Sequence, residues 1–208
     1  MAHRPPHLVL VVLGASAGGV DALCAVVAGL PTGLPAAVLV VLHISPAAPS
    51  LLGQILDRAS PLPAGTAHDG EQLMAGRIYV APPDRHLTVE GSTVRLTTAE
   101  RIAGNRPAID ALFCTAAEHH GPRVVGVVLS GTLHDGTAGL ARIEACGGAT
   151  IVQDPTDAEY EDMPNSAIEH VAVDAILSTA DIGPAIAAFV ARGPSAGALA
   201  ELRHASTR

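Results

Sequence analysis

Six consecutive apolar residues, 8–13, run without a break into Gly14-Ala15-Ser16-Ala17-Gly18-Gly19, and a helical pattern begins at once behind them. Continuous rather than alternating apolarity describes a strand covered on both faces, which is the habit of parallel sheets. The helix predicted over 20–30 places Leu23, Val26, Val27 and Leu30 on one face. Pro31, Gly33 and Pro35 stop it. A strand, a glycine turn and an amphipathic helix in immediate succession is the opening of a βα unit, and it restricts the chain to α/β architectures.

The rest of the sequence continues in that style. Residues 37–42 form a second buried strand ending at His43, and 50–58 a short helix between Pro49 and Pro61. The middle reads differently. Residues 77–81, 86–90 and 93–97 are short strands, and Gly91-Ser92 is a two-residue hairpin turn, so this part reads as an antiparallel insertion. A helix with Pro in its first turn follows over 107–118. Alternation then resumes with a strand at 124–129, a polar loop at 131–136 and a helix at 138–146 closed by Gly147-Gly148. Next come a strand at 149–153, a loop rich in Asp, Glu and Pro at 154–164, a strand at 175–177 and a helix at 182–192. Residues 194–208 are expected to fray. The fold class is α/β: one domain over 1–193 with a mostly parallel, doubly wound (Rossmann-like) sheet and one antiparallel hairpin.

Composition removes several function classes. Of 208 residues 49% are hydrophobic and 15% charged, too apolar for a disordered chain and sufficient for a full core. The net charge is −8, all twelve basic residues are Arg, and aromatics are 2%, which argues against nucleic acid as a partner. No apolar run is long enough for membrane insertion. Residues 8–17 have the flavour of a signal peptide, with Arg4 before the apolar run and Ala15-Ser16-Ala17 after it. Six apolar residues are too few for that role, and Pro5-Pro6 precede them. Three cysteines without a CxxC pair fit a reducing, cytoplasmic setting better than a disulfide framework. The ten histidines include no HxxxH or HExxH pair, so neither a metal nor another cofactor is expected.

Ligands of open α/β sheets sit outside the carboxyl ends of the strands. Three loops leave strand ends with reactive side chains: Ser16 in the glycine turn, His43 after the second strand, and Asp135 in Ser130-Gly131-Thr132-Leu133-His134-Asp135-Gly136. A weak serine nucleophile needs a base, and the base needs an orienting acid. The Ala17 amide, one residue beyond the nucleophile, is the natural first oxyanion donor. His134 is a rival base, but it is adjacent to Asp135 and the two side chains point apart. Two blander readings stand beside the triad. A glycine-rich first turn more often binds a nucleotide, although this one matches neither GxGxxG nor a Walker loop. Asp135 before Gly136 is by default a turn or cap residue.

At the same residues the chain resembles the catalytic domain of CheB-type protein-glutamate methylesterases, from about residue 9 to 190. The resemblance is carried by Gly14-Ala15-Ser16-Ala17-Gly18-Gly19, by His43, and by Ala81-Pro82-Pro83-Asp84-Arg85-His86-Leu87. It continues through Arg106-Pro107-Ala108-Ile109-Asp110-Ala111-Leu112-Phe113, the loop of Asp135, Val152-Gln153-Asp154-Pro155 and Met163-Pro164-Asn165-Ser166-Ala167. It implies Ser16 as nucleophile, His43 as general base, Asp135 as orienting acid, and the Thr132 amide as second oxyanion donor. The implied substrates are γ-glutamyl methyl esters, and also glutamines, on the cytoplasmic helices of methyl-accepting chemoreceptors. A separate receiver or methyltransferase protein is an implied partner. Arg85, His86 and Arg106 form a candidate substrate rim, with a solvated charged surface as the plainer reading. Two departures stand out. Leu133 occupies a position where the family commonly has glycine, so a left-handed backbone there would be strained and turnover weakened, in the limit to a scaffold. Only thirteen residues precede Gly14, so no receiver domain is expected ahead of it.

Overall fold

The computed structural model describes residues 8–44 and 50–205. Arg4, Pro5-Pro6 and residues 206–208 of the expected tail lie outside that range. The chain runs β1 (Val9–Ala15), α1 (Gly19–Ala28), β2 (Ala36–Leu42), α2 (Leu52–Ala59), β3 (Ala64–Thr66), β4 (Arg77–Val80), β5 (His86–Glu90), β6 (Thr93–Thr97) and α3 (Ile109–His120). It continues with β7 (Val124–Val128), α4 (Thr137–Ala145), β8 (Ala149–Gln153), α5 (Asp162–His170), β9 (Ala175–Leu177), α6 (Thr179–Arg192) and α7 (Ala196–Ala205).

Seven strands form one sheet in the order β3-β4-β2-β1-β7-β8-β9. Every pairing in it is parallel. β5 and β6 pair antiparallel with His86 opposite Thr97 and Glu90 opposite Thr93, which closes the expected hairpin over Gly91-Ser92. The continuous apolarity of β1 has its reason in the two layers. Val9, Val11, Leu13 and Ala15 pack on the side of α1, α2, α6 and α7, while Leu10 and Val12 pack on the side of α3, α4, α5 and the hairpin. Leu23, Val26, Val27 and Leu30 are all buried, as the predicted stripe requires.

Four parts of the sequence reading need correction. β4 belongs to the parallel sheet beside β2 and is not part of the insertion. β3, a three-residue edge strand, was not anticipated. The acidic, proline-containing stretch is not all loop: α5 begins at Asp162, and Met163 and Ala167 are buried one turn apart. The residues after 193 do not fray along their whole length, because α7 tucks Ala198 and Leu202 into the core beside α6.

Strand order fixes where a site must lie. From β1 the chain moves to β2 on one side, while β7 flanks β1 on the other. The crevice at such a reversal, outside the carboxyl ends of the two strands, is the natural ligand site. Backbone hydrogen bonds hold its walls together: the Leu129 amide donates to Gly14, the Ser16 amide to Ser130 and the His43 amide to Ala15.

Candidate active site

The three loops meet. His43 Nδ1 lies 3.1 Å from Ser16 Oγ, and His43 Nε2 lies 2.7 Å from Asp135 Oδ2. Ser16 and His43 are half-buried, whereas Asp135 is 2% exposed. Because an ionised carboxylate only accepts, the proton of a neutral His43 sits on Nε2 and the Nδ1 lone pair faces the serine hydroxyl. His134, the rival base, is exposed, whereas Asp135 beside it is buried.

Asp135 is fixed by the start of α3. Its Oδ2 also accepts from the Ile109 amide at 2.9 Å, and its Oδ1 accepts from the Asp110 amide at 3.0 Å. Those N–H groups would otherwise be orphans at a helix N-terminus, and the helix dipole favours a negative charge there. Burial pushes the Asp135 carboxyl upward, but the His43 hydrogen bond and the two amides outweigh it and hold the acid below the usual carboxylate range. The acid is therefore ionised at neutral pH.

The Ser16 turn is shaped by close approach. Gly18, with φ of 70°, stands where a Cβ would fall 2.7 Å from Ser130 Oγ and 2.8 Å from the Glu159 side chain. A Cβ on Gly131 would meet Met163 Sδ and lie 2.8 Å from Ser16 Cβ. The Gly131 carbonyl accepts from Met163 and its amide donates to Tyr160, so this residue seams the Asp135 loop to the first turn of α5 and the segment just before it. Among the described residues neither the Ala17 nor the Thr132 amide donates to a backbone carbonyl. Both belong to the loops that converge on Ser16. The same turn is poorly made for a phosphate: the Ser16 and Gly19 amides are engaged internally, and the Glu159 side chain stands over Gly18.

Leu133 has φ of 66° and is 67% exposed. The acid loop thus keeps its left-handed turn although the residue is leucine, and the expected strain resides in the backbone. Left-handed geometry costs a side-chain-bearing residue about 1–2 kcal/mol. Glycine gives back part of that through its freer unfolded chain, roughly 0.5–1 kcal/mol. Leu133→Gly is therefore expected to stabilise by about 0.5 kcal/mol, a rise in Tm of about 1–2 °C by thermal denaturation. An unchanged or lower Tm would show that the strain is no larger than the entropic cost of glycine.

The candidate rim separates into different roles. His86 is buried: Nδ1 accepts from the Ala108 amide at 3.2 Å, which leaves its proton on Nε2 for the Glu100 carbonyl at 3.0 Å. It braces the segment leading into α3 and is not on a rim. Arg106 places Nε and Nη2 at 3.0 and 2.8 Å from Asp84 Oδ1, and donates through Nη1 to the Thr98 and Ala99 carbonyls. Its hydrogen bond and charge, with Arg101 and Arg85 nearby, keep the Asp84 carboxyl low. Arg106 is thus a clamp on its own loop, and Arg85 alone of the three is exposed. His86→Ala should cost about 2–4 kcal/mol in urea denaturation, from a lost side chain and two broken hydrogen bonds.

Sequence reasoning missed Asp110. Its Oδ1 accepts from the Gly136 amide at 3.0 Å and the Gly139 amide at 2.7 Å, at the start of α4. The only sequence signal was its place in the motif that opens α3. Among the described residues no group of three or more His, Cys, Asp or Glu is arranged to hold a metal ion.

Comparison with known proteins gives the lineage. The family model for the CheB methylesterase matches residues 11–186. The chain belongs to the CheB methylesterase family. A relative from Leptospira interrogans is 38% identical over 169 residues, covering 81% of this chain and 88% of its own. A protein-glutamate methylesterase/protein-glutamine glutaminase from Anaeromyxobacter dehalogenans is 38% identical over 183 residues, 88% of this chain but 54% of its own. The crystal structure of the Thermotoga maritima CheB methylesterase catalytic domain superposes with a TM-score of 0.82 at 33% identity, covering 86% of this chain and 97% of that one. The doubly wound sheet with its separate hairpin is thus the fold of a CheB catalytic domain. None of these comparisons supports the nucleotide-binding alternative. No helix among the described residues is long and apolar enough to cross a membrane.

Proposed function

We propose that this CheB-family domain is a serine esterase that hydrolyses γ-glutamyl methyl esters on chemoreceptor helices and deamidates receptor glutamines at the same site. The observation that carries the reading is the unbroken hydrogen-bonded chain Ser16 Oγ, His43, Asp135 in the sheet crevice.

The geometry supports the following sequence. Ser16 Oγ attacks the ester carbonyl as His43 Nδ1 takes its proton, and Asp135 stabilises the imidazolium through Nε2–H. The amides of Ala17 and Thr132 receive the developing oxyanion. His43 then protonates the departing methoxide, releasing methanol, and activates the water that cleaves the acyl-enzyme. For a glutamine the leaving group is ammonia. A crevice of loops with the serine half-buried suits an ester carried on the surface of another protein.

The test is methanol release. Incubating the chain with the methylated cytoplasmic fragment of a chemoreceptor should release methanol in step with the loss of ester. Esters that persist with no methanol above the receptor alone would overturn the proposal, leaving the weakened scaffold as the reading of this fold.

A further inference from the structure

Two helices of this domain exchange caps. The carboxylate of Asp135, one residue before the N-cap of α4, receives the first amides of α3. The carboxylate of Asp110, in the first turn of α3, receives amides at the start of α4. Neither helix has a cap from its own N-cap side chain. Asp135 is therefore held on one side by α3, and the loop that presents it is held on the other by Asp110. We propose that Asp110 is a positioning residue for hydrolysis, locking the acid loop so that Asp135 faces His43 and adding a second acidic group behind it. This rests on the Ser16–His43–Asp135 reading.

The surroundings agree. Asp110 donates its own amide to Asp135 Oδ1, so any shift of one residue moves the other. A Cβ on Gly139 would crowd Phe113 and lie 3.1 Å from Asp110 Oδ1, so that contact needs a glycine. The titratable groups facing Asp110 are Asp135 from the acid loop and Cys114 one turn along α3, whose thiol is raised by burial and then by Asp110. Burial pushes the Asp110 carboxyl up and the Asp135 charge pushes it further, against the pull of the two glycine amides. His43 lies beyond Asp135. A misplacement near 1 Å at a reacting group costs up to about 100-fold in rate.

The experiment measures hydrolysis of a γ-methyl-glutamyl peptide for the full chain and for Asp110→Ala, Asp110→Asn and Ser16→Ala. Asp110→Ala should lower kcat about 10- to 100-fold with KM within about twofold. Asp110→Asn, which keeps an oxygen for Gly136 and Gly139, should recover most of kcat. A purely structural residue would lower Tm and the yield of folded protein while leaving kcat per folded molecule in place. If Asp110→Ala does not fold, Asp110→Ser, whose short hydroxyl cannot serve both glycine amides, takes its place. A kcat per folded molecule within about threefold of the wild type, with Ser16→Ala inactive, overturns the role of Asp110 alone. Full activity in Ser16→Ala overturns the triad and the role of Asp110 with it.

Discussion

Ser16→Ala is expected to lower the rate of methanol release by about 10⁴- to 10⁶-fold, leaving the fold intact. Deleting the nucleophile of a triad removes nearly all that the three residues do together, and oxyanion donors and binding sustain only a residual rate. The structural cost is small because Ser16 Oγ has one side-chain partner, His43, and the turn is held by backbone bonds from Ser16 to Ser130 and from Gly19 to Ser16. Those bonds do not involve the hydroxyl. Circular dichroism and Tm should match the unsubstituted chain to within a few degrees. The decisive comparison is the initial rate per folded molecule, and a retained rate would move the chemistry to another group.

Asp135→Asn should cost about 10⁴-fold in kcat. It should also destabilise, unlike the serine change. The carboxylate accepts three N–H groups: His43 Nε2 and Ile109 on Oδ2, and Asp110 on Oδ1. An asparagine has one oxygen and one NH₂ for these two places. With NH₂ at the Oδ2 place, it opposes the Ile109 amide and drives the His43 proton to Nδ1, where the ring can no longer accept from Ser16. With NH₂ at the Oδ1 place, it opposes the Asp110 amide. Either way a buried donor loses its acceptor, at about 1–3 kcal/mol. Chemical denaturation read together with single-turnover rates separates the two losses. A variant that folds as stably as its parent and turns over within tenfold would remove Asp135 from the reaction.

Much of this site is legible in the chain, and what is legible follows a pattern. β1, β2 and β7 are buried on both faces, so no polar side chain interrupts them and their ends are sharp, and β8 is buried too although it carries Thr150 and Gln153. Reactive side chains just past those ends are then easy to single out, and parallel pairing requires that they share an edge. The failures share a cause as well. α5 has only Met163, Pro164 and Ala167 buried, so its stripe is thin and its acids look like loop. α7 packs through Ala198, Leu202 and the half-buried Leu199, too little periodicity to read. β3 has three residues, none of them buried. His86 and Asp110 are polar residues whose roles exist only once distant segments touch: Ala108 and Glu100 for one, Gly136 and Gly139 for the other. Such a contact leaves no periodic trace, so a sequence can place the actors and still conceal what steadies them.

The seam between β1 and β7 has a consequence for how this protein matures. Ser130 Oγ donates to the Ala17 carbonyl across a separation of 113 residues, and the loops of Ser16 and Asp135 meet there. Closing so long a loop is entropically slow. No fragment ending before β7 can hold both the hydroxyl and the carboxylate, however well its first βα units form. During refolding, secondary structure should therefore return before hydrolysis does, and the reappearance of turnover should time the moment the middle of the sheet zips shut.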